Sequence, residues 1–326
     1  MSTQAPKPIR AHIDYLPLIQ LVLAMIIWGT LGLFVLKSGL TSIDVAFFRC
    51  FIGAIILAPY CWYKGYFSSK CLSMNKVTLI MIGGVLVVLN WILLFESFRY
   101  ASITLGNVSY YLQPVFLLVL GRFFFKERIP AIKYFFVFIT LIGVVLTINV
   151  SADMLSFNNH ELFGIACALI AGFFYSLATV IAKKAAAIPA PMITLIQLFI
   201  GTILLAPIAK VTTINLTWQT FAYIMSLGII HTVLAFILYY QAVAKLPTDR
   251  IAVISYVDPI AAIFTDVFFF SRSLLPIQII GIAVTLLGSY FVISTSNIKK
   301  LFSNGVKFRI PAHVESKHKT PRPNLT

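Results

Sequence analysis

Apolar runs of about 20 residues follow one another along almost the whole chain, separated by short polar connectors. A helix of about 20 apolar residues crosses a hydrocarbon core of about 30 Å. The pattern predicts ten such helices, over 16–36, 43–63, 77–98, 102–122, 131–149, 161–182, 191–210, 218–242, 249–270 and 276–296. The connectors carry Pro, Gly, Asn or Lys, as turns between helices do. The longest, 150–160, divides the chain into two halves. Closed barrels also span membranes, but their strands alternate apolar and polar residues over about 10 positions, unlike these continuous runs.

Composition sharpens this picture. Of 326 residues, 60% are hydrophobic and 11% are charged. A soluble domain holds about 45–50% apolar and about 25% charged residues. So much apolar surface has no place in one aqueous core, and lipid is the solvent that fits. The expected fold class is therefore an all-α integral membrane protein, embedded in the bilayer as a multi-pass chain of the cell membrane (the inner membrane in a Gram-negative cell).

The net charge of +15 has a topological reading. With the N-terminus in the cytoplasm, 20 of the 25 Lys and Arg fall on the inner side, four fall outside, and Arg49 lies within a span. This asymmetry is the positive-inside pattern, and it predicts that both ends are cytoplasmic (N-in, C-in). It also leaves no basic face for nucleic acid. The expected organisation is a cytoplasmic segment 1–14, a first five-helix repeat 15–149, a linker 150–160, a second five-helix repeat 161–296 and a basic cytoplasmic tail 297–326. Residues 1–14 are polar, and the first apolar run is too long for the core of a cleavable signal.

The two halves repeat. At a shift of 145 residues, Val108 meets Val253, Tyr111 meets Tyr256, Pro114 meets Pro259, and Phe123–Phe125 meet Phe268–Phe270. At a shift of 147, Trp28 meets Tyr175 and Lys37 meets Lys184. Five helices separate the copies, and an odd number turns the second copy upside down in the membrane. Inverted repeats are common in secondary transporters, which hold their solute near the midplane.

Particular motifs carry a family resemblance. Trp28-Gly29 in the first helix and FFRCFIGAIIL with Arg49 in the second are followed by Gln113-Pro114 and FFFKER with Glu127. HTVLAFILYYQAVAKL and VISYVDPIAAI come later. In this order the chain resembles the EamA family of the drug/metabolite transporter superfamily, from about residue 15 to 297. The resemblance implies transport of small metabolites such as amino acids. It also implies a cavity lined largely by the third, fourth, eighth and ninth helices. The chain departs from the family pattern at His231, before Thr232, and at Arg272.

Ionisable groups at membrane depth are costly and often mark a pathway. His231 and Asp258 lie at similar depth on consecutive helices, so they are expected as an ion-coupling pair, with a structural hydrogen bond, or no contact if the two helices face away, as the alternatives. Asp258 precedes Pro259 as Gln113 precedes Pro114. A proline leaves a carbonyl one turn earlier free, and two such helix breaks at matching places point to a site. Substrate-binding candidates are Trp28, Asn90, Trp91, Asn107, Tyr110, Tyr111, Gln113, Ser255 and Tyr256, whose rings and polar tips suit an amphipathic solute. Arg49 and Glu96, both towards the outer ends of their helices, are expected as a gate or ion pair. Asp44 is read as solvated at the outer interface.

No HExxH, Walker or GxSxG pattern appears. Cys50, Cys61, Cys71 and Cys167 show no metal-ligand spacing, so no metal, cofactor or catalytic residue is expected. Ser255, His231 and Asp258 supply nucleophile chemistry on paper alone. The function expected is alternating-access transport of a small-molecule substrate, an amino acid or related solute, with proton coupling left open. A membrane-embedded enzyme acting on a lipid-like substrate and a passive facilitator are the alternatives. A homodimer is compatible with this reading.

Overall fold

A computed structural model describes residues 15–68, 72–101, 103–148, 159–210, 217–270 and 275–304. The segment 1–14, most of the connector 150–160, Cys71, Arg272 and the tail beyond Asn304 lie outside the described residues. Every described element is helical. Helix α1 (Leu16–Ser38) is interrupted at Thr30 and closed by Gly39 at φ 68°. It is followed by α2 (Ser42–Tyr63) and α3 (Met74–Tyr100). Helix α4 comprises Ile103–Tyr110 and Gln113–Phe125, and α5 is Ala131–Ile148. The second half holds α6 (Asn159–Lys184), α7 (Ala190–Leu205) and α8 (Trp218–Lys245). It ends with α9, formed by Thr248–Ile254 and Val257–Phe270, and α10 (Pro276–Asn304).

Among the described residues nine helices are long and apolar enough to cross a membrane. The segment expected over 191–210 is shorter. Helix α7 stops at Leu205, just before Pro207, and its 16 residues reach about 24 Å at about 1.5 Å each. Most of α7 is buried against α2 and α3, while Phe199, Ile203 and Leu204 face outward. Helix α10 instead runs on to Asn304, past its expected end at 296.

The helices are packed inside out compared with a soluble bundle. On α5, Phe135, Phe138 and Ile142 point outward, while Thr140, Gly143, Val144 and Thr147 face α10. Small residues let two backbones approach where no water drives them together. Gly143 sits against Thr285, Gly288 against Thr140, and Gly281 against Thr147, each closely enough that an added Cβ would overlap its neighbour. At the 145-residue shift Thr140 corresponds to Thr285 and Gly143 to Gly288, so two of these contacts are copies of one another.

The same duplication governs the whole bundle. Helix α1 packs on α8 and α9, and its counterpart α6 packs on α3 and α4. Helix α2 packs on α7 and α8, and α7 packs on α2 and α3. Exchanging each helix for the one five places later maps these pairs onto one another. Equivalent helices run antiparallel: on α2 and α7, Gly53 meets Leu198, Cys50 meets Gly201 and Asp44 accepts from Lys210 N at 2.7 Å. Asp44, expected to be solvated, is buried because it ties the start of α2 to the end of α7 and accepts from Thr41 Oγ1 at 2.6 Å.

Candidate functional site

The two chain breaks that carry prolines lie at matching places. Helix α4 is interrupted at Tyr111–Leu112, before Pro114, and α9 at Ser255–Tyr256, before Pro259. Proline cannot donate to the helix ladder and excludes the preceding turn from ideal geometry. Tyr256 Oη donates to the carbonyl of Tyr111 at 3.3 Å, so these equivalent tyrosines join the breaks. Tyr111 Oη in turn lies 3.5 Å from Asp258 Oδ2.

A cavity of about 160 Å³ opens beside the breaks. Trp28, Arg49, Asn90, Trp91, Tyr110, Tyr111, Gln113, Pro114, Ser255 and Asp258 line it, as do Tyr175 and Phe236. Helices α1, α2 and α6 therefore contribute beside the expected α3, α4, α8 and α9. Trp28 and Tyr175, matched in the repeat, meet edge to face with ring centroids 6.3 Å apart. Asn90 Nδ2 donates to the Ala171 carbonyl at 2.9 Å and reaches Tyr110 Oη at 3.4 Å. The Gln113 carbonyl accepts from Ser176 Oγ at 2.8 Å, while its buried Nε2 has no hydrogen-bond partner among the described residues. Asn107, half-buried, and Tyr256, fully buried, are absent from the cavity wall. Asn107 precedes the break, and Tyr256 supports it from behind.

His231 and Asp258 do not form the expected pair. Helix α1 is wedged between their helices, with Gly29 against Asp258 O and Ala261 on one side. On the other side Trp28 Nε1 donates to the His231 carbonyl at 3.0 Å, and Thr30 Oγ1 lies 3.0 Å from His231 Nε2. His231 Nδ1 faces the Ser226 carbonyl at 3.2 Å. Ser255 Oγ donates to the Ile251 carbonyl at 2.9 Å, so Ser255, His231 and Asp258 assemble no nucleophile and base. The expected Arg49–Glu96 pair is also absent: Glu96 takes Arg99 at 3.3 Å on the exposed face.

Arg49 is instead buried against a feature with no sequence signal. Residues Ile229–Leu234 of α8 form a π-helical turn. Such turns are rare and recur at functional sites, because they divert backbone groups from the regular ladder. The His231 carbonyl accepts from Arg49 Nη2 at 3.3 Å as well as from Trp28, and Arg49 Nε donates to Thr232 Oγ1 at 2.9 Å. The guanidinium carbon stands 4.5 Å from the Trp91 ring centroid, a cation–π contact. These bonds use Nε and Nη2.

The cavity lies on the Ser38, Ser42 and Tyr100 side of the bundle, and the opposite side is sealed. Below Trp28, Tyr239 Oη and Thr179 Oγ1 are 2.9 Å apart, and Gln20 Nε2 donates to Gln241 Oε1 at 2.7 Å. Deeper still, Lys183 Nζ binds Glu127 Oε1 at 3.0 Å and the Leu246 carbonyl at 2.7 Å. Glu127 also accepts from the backbone and hydroxyl of Thr248, and Lys133 pairs with Asp249, both buried. The ends of α4 and α6, the start of α5 and the α8–α9 turn are thus tied together.

The EamA-like transporter family matches residues 16–149 and again 162–294. An uncharacterised transporter of Bacillus subtilis, YxxF, is 30% identical over 255 residues, covering 77% of this chain and 81% of its own. An S-adenosylmethionine uptake transporter of Rickettsia bellii is 26% identical over 149 residues, covering 46% of this chain and 48% of its own. A solved crystal structure superposes with TM-score 0.74 at 17% identity, covering 87% of this chain and 98% of its own, which establishes a shared fold.

Proposed function

The chain belongs to the EamA-like transporter family of multi-pass membrane proteins, and from that premise we propose that it is a secondary carrier moving a small zwitterionic metabolite by alternating access. In this reading all ten helices cross the membrane, the two five-helix repeats are inverted, and both chain ends are cytoplasmic. The antiparallel contacts of equivalent helices support the inversion, and the Lys and Arg distribution supports the orientation.

One observation carries the reading. Arg49 and Asp258 line a single cavity walled by Trp28, Trp91, Tyr110 and Tyr111, with polar groups at the two helix breaks. A cation and an anion that are not paired with each other suit a solute bearing a carboxylate and a positive centre. Aromatic faces add attraction for the positive centre. An amino acid has this charge pattern, and S-adenosylmethionine, named for the Rickettsia relatives, has it together with a sulfonium. In this reading Asp258, the carboxylate at the cavity, takes the positive centre of the solute, while the His231 carbonyl holds Trp28 and Arg49 in place.

The test is counterflow. Purified protein in liposomes, loaded with an unlabelled zwitterion, is expected to accumulate the labelled solute transiently and saturably, and to return it chemically unchanged. Conversion of the solute favours the membrane-enzyme reading, and non-saturable flux favours a passive pore. Neutral and purely anionic solutes matching zwitterions as competitors would remove the charge argument.

A further inference from the structure

At the sealed end of the bundle the chain leaves α4 through Lys126, the non-glycine residue with positive φ (52°) among the described residues. This turn borders an open surface hollow of about 380 Å³, lined by Arg122, Lys126, Glu127, Arg128, Ile129 and Pro130. Its charge is one-sided. The Glu127 carboxylate is already engaged by Lys183 and by Thr248. Arg122, Lys126 and Arg128 make no ion pair among the described residues. All three side chains are exposed and border one hollow, where a single anion can meet them together.

The place of the hollow identifies the anion. Helix α4 is apolar up to Arg122, and the neighbouring Phe123 is 76% exposed on the outside of the bundle. A residue so exposed and so apolar lies in hydrocarbon, which puts the cations beside it at headgroup depth. We propose that this hollow is a binding site for an anionic glycerophospholipid. The arginine forks and Lys126 hold the phosphate, and the acyl chains lie along Phe123 and the outer face of α4. Arginine guanidinium matches phosphate geometry with paired donors. Topology alone explains cations in this connector. It does not explain their convergence on a concave site, nor the neutralisation of Glu127 from the opposite side.

Thermal unfolding of the purified full chain in neutral detergent provides the test. Phosphatidylglycerol is added in one arm, phosphatidylcholine in a second, and inorganic phosphate in a third. Ligands that bind the folded state raise Tm by mass action. Phosphatidylglycerol is expected to raise Tm, and the other two are not. In an Arg122→Gln/Lys126→Gln/Arg128→Gln variant the rise is expected to fall by at least half, while Lys37→Gln/Lys64→Gln/Lys76→Gln, which removes equal charge elsewhere, keeps it. Native mass spectrometry of Arg122→Gln and Arg128→Gln singly is the second measurement, should the triple variant not fold. Each lost charge is expected to weaken lipid retention about five-fold, taking about 1 kcal/mol per cation at a lipid surface. An equal loss in both triple variants, an equal effect of inorganic phosphate, or unchanged retention in both single variants overturns the proposal. None of these outcomes depends on the transport reading.

Discussion

Trp28 and His231, on helices from opposite halves of the chain, are joined through a backbone carbonyl: the indole Nε1 donates to His231 O at 3.0 Å. The same carbonyl receives Arg49 Nη2 at 3.3 Å. A main-chain acceptor, diverted by a π-helical turn, thus fixes an aromatic wall and a cation of the cavity. The imidazole itself points away, towards Thr30 and Ser226.

This arrangement gives the positioning role to the His231 main chain and a structural role to its imidazole. In His231→Ala the carbonyl remains, so the half-saturation for solute is expected to change less than three-fold. Tm should fall, because a buried hydrogen-bonding side chain is lost, at a cost of about 1–3 kcal/mol. Counterflow and thermal unfolding on one preparation check both halves of the expectation. A collapse of transport at full stability would return the residue to ion coupling.

Asp258→Asn is expected to act in the opposite way. The change is nearly isosteric and the half-buried carboxylate meets Tyr111 Oη at 3.5 Å, a contact an amide can keep, so Tm should hardly move. A charge-assisted hydrogen bond contributes about 1.5–3 kcal/mol, so affinity for a positively charged solute should fall roughly ten- to a hundred-fold. Affinity is read by competition in counterflow, comparing zwitterionic with anionic competitors.

The Lys183–Glu127 pair is expected to act as a latch on the sealed side. Both side chains are largely buried, at 14% and 20% exposure, and removing one partner of a buried pair typically costs about 3–5 kcal/mol. Lys183→Met should therefore expose the layer behind it. In a background with the four cysteines replaced, a Gln241→Cys reporter should react with a polar thiol reagent several-fold faster once Lys183 is changed. Equal rates would mean that the pair seals nothing.

The contact of α5 with α10 is expected to tolerate no added bulk. Gly143→Leu drives a branched side chain into Thr285, and overpacking costs about 1–3 kcal/mol or more. Gly288→Leu, its counterpart in the repeat, should lower Tm by a similar amount. Gly32→Ala faces open space and should leave Tm unchanged or raise it, since alanine is the better helix former. Thermal unfolding of the three variants reads this directly.

Much of the fold follows from the sequence alone. Lipid demands long apolar helices with satisfied backbones, and that demand writes itself into uninterrupted hydrophobic runs. The duplication was equally legible, because Tyr111, Pro114 and Phe123–Phe125 keep their spacing in the second half. Seven of the nine residues named from the sequence as candidate walls do line the cavity, although aromatic and polar residues at this depth serve packing as readily as binding. Partnership was decided only in three dimensions. Depth along a helix can be counted from the sequence, but the direction a side chain takes around the axis, and the helix placed between two candidates, cannot. Helix α1 separates His231 from Asp258, Glu96 turns to Arg99, and the π turn of α8 moves Arg49 onto Trp91 without any residue pattern to announce it. Apolar surfaces attract without direction, so many packings satisfy one hydrophobic pattern, and the small residues and buried donors choose among them once the helices are assembled.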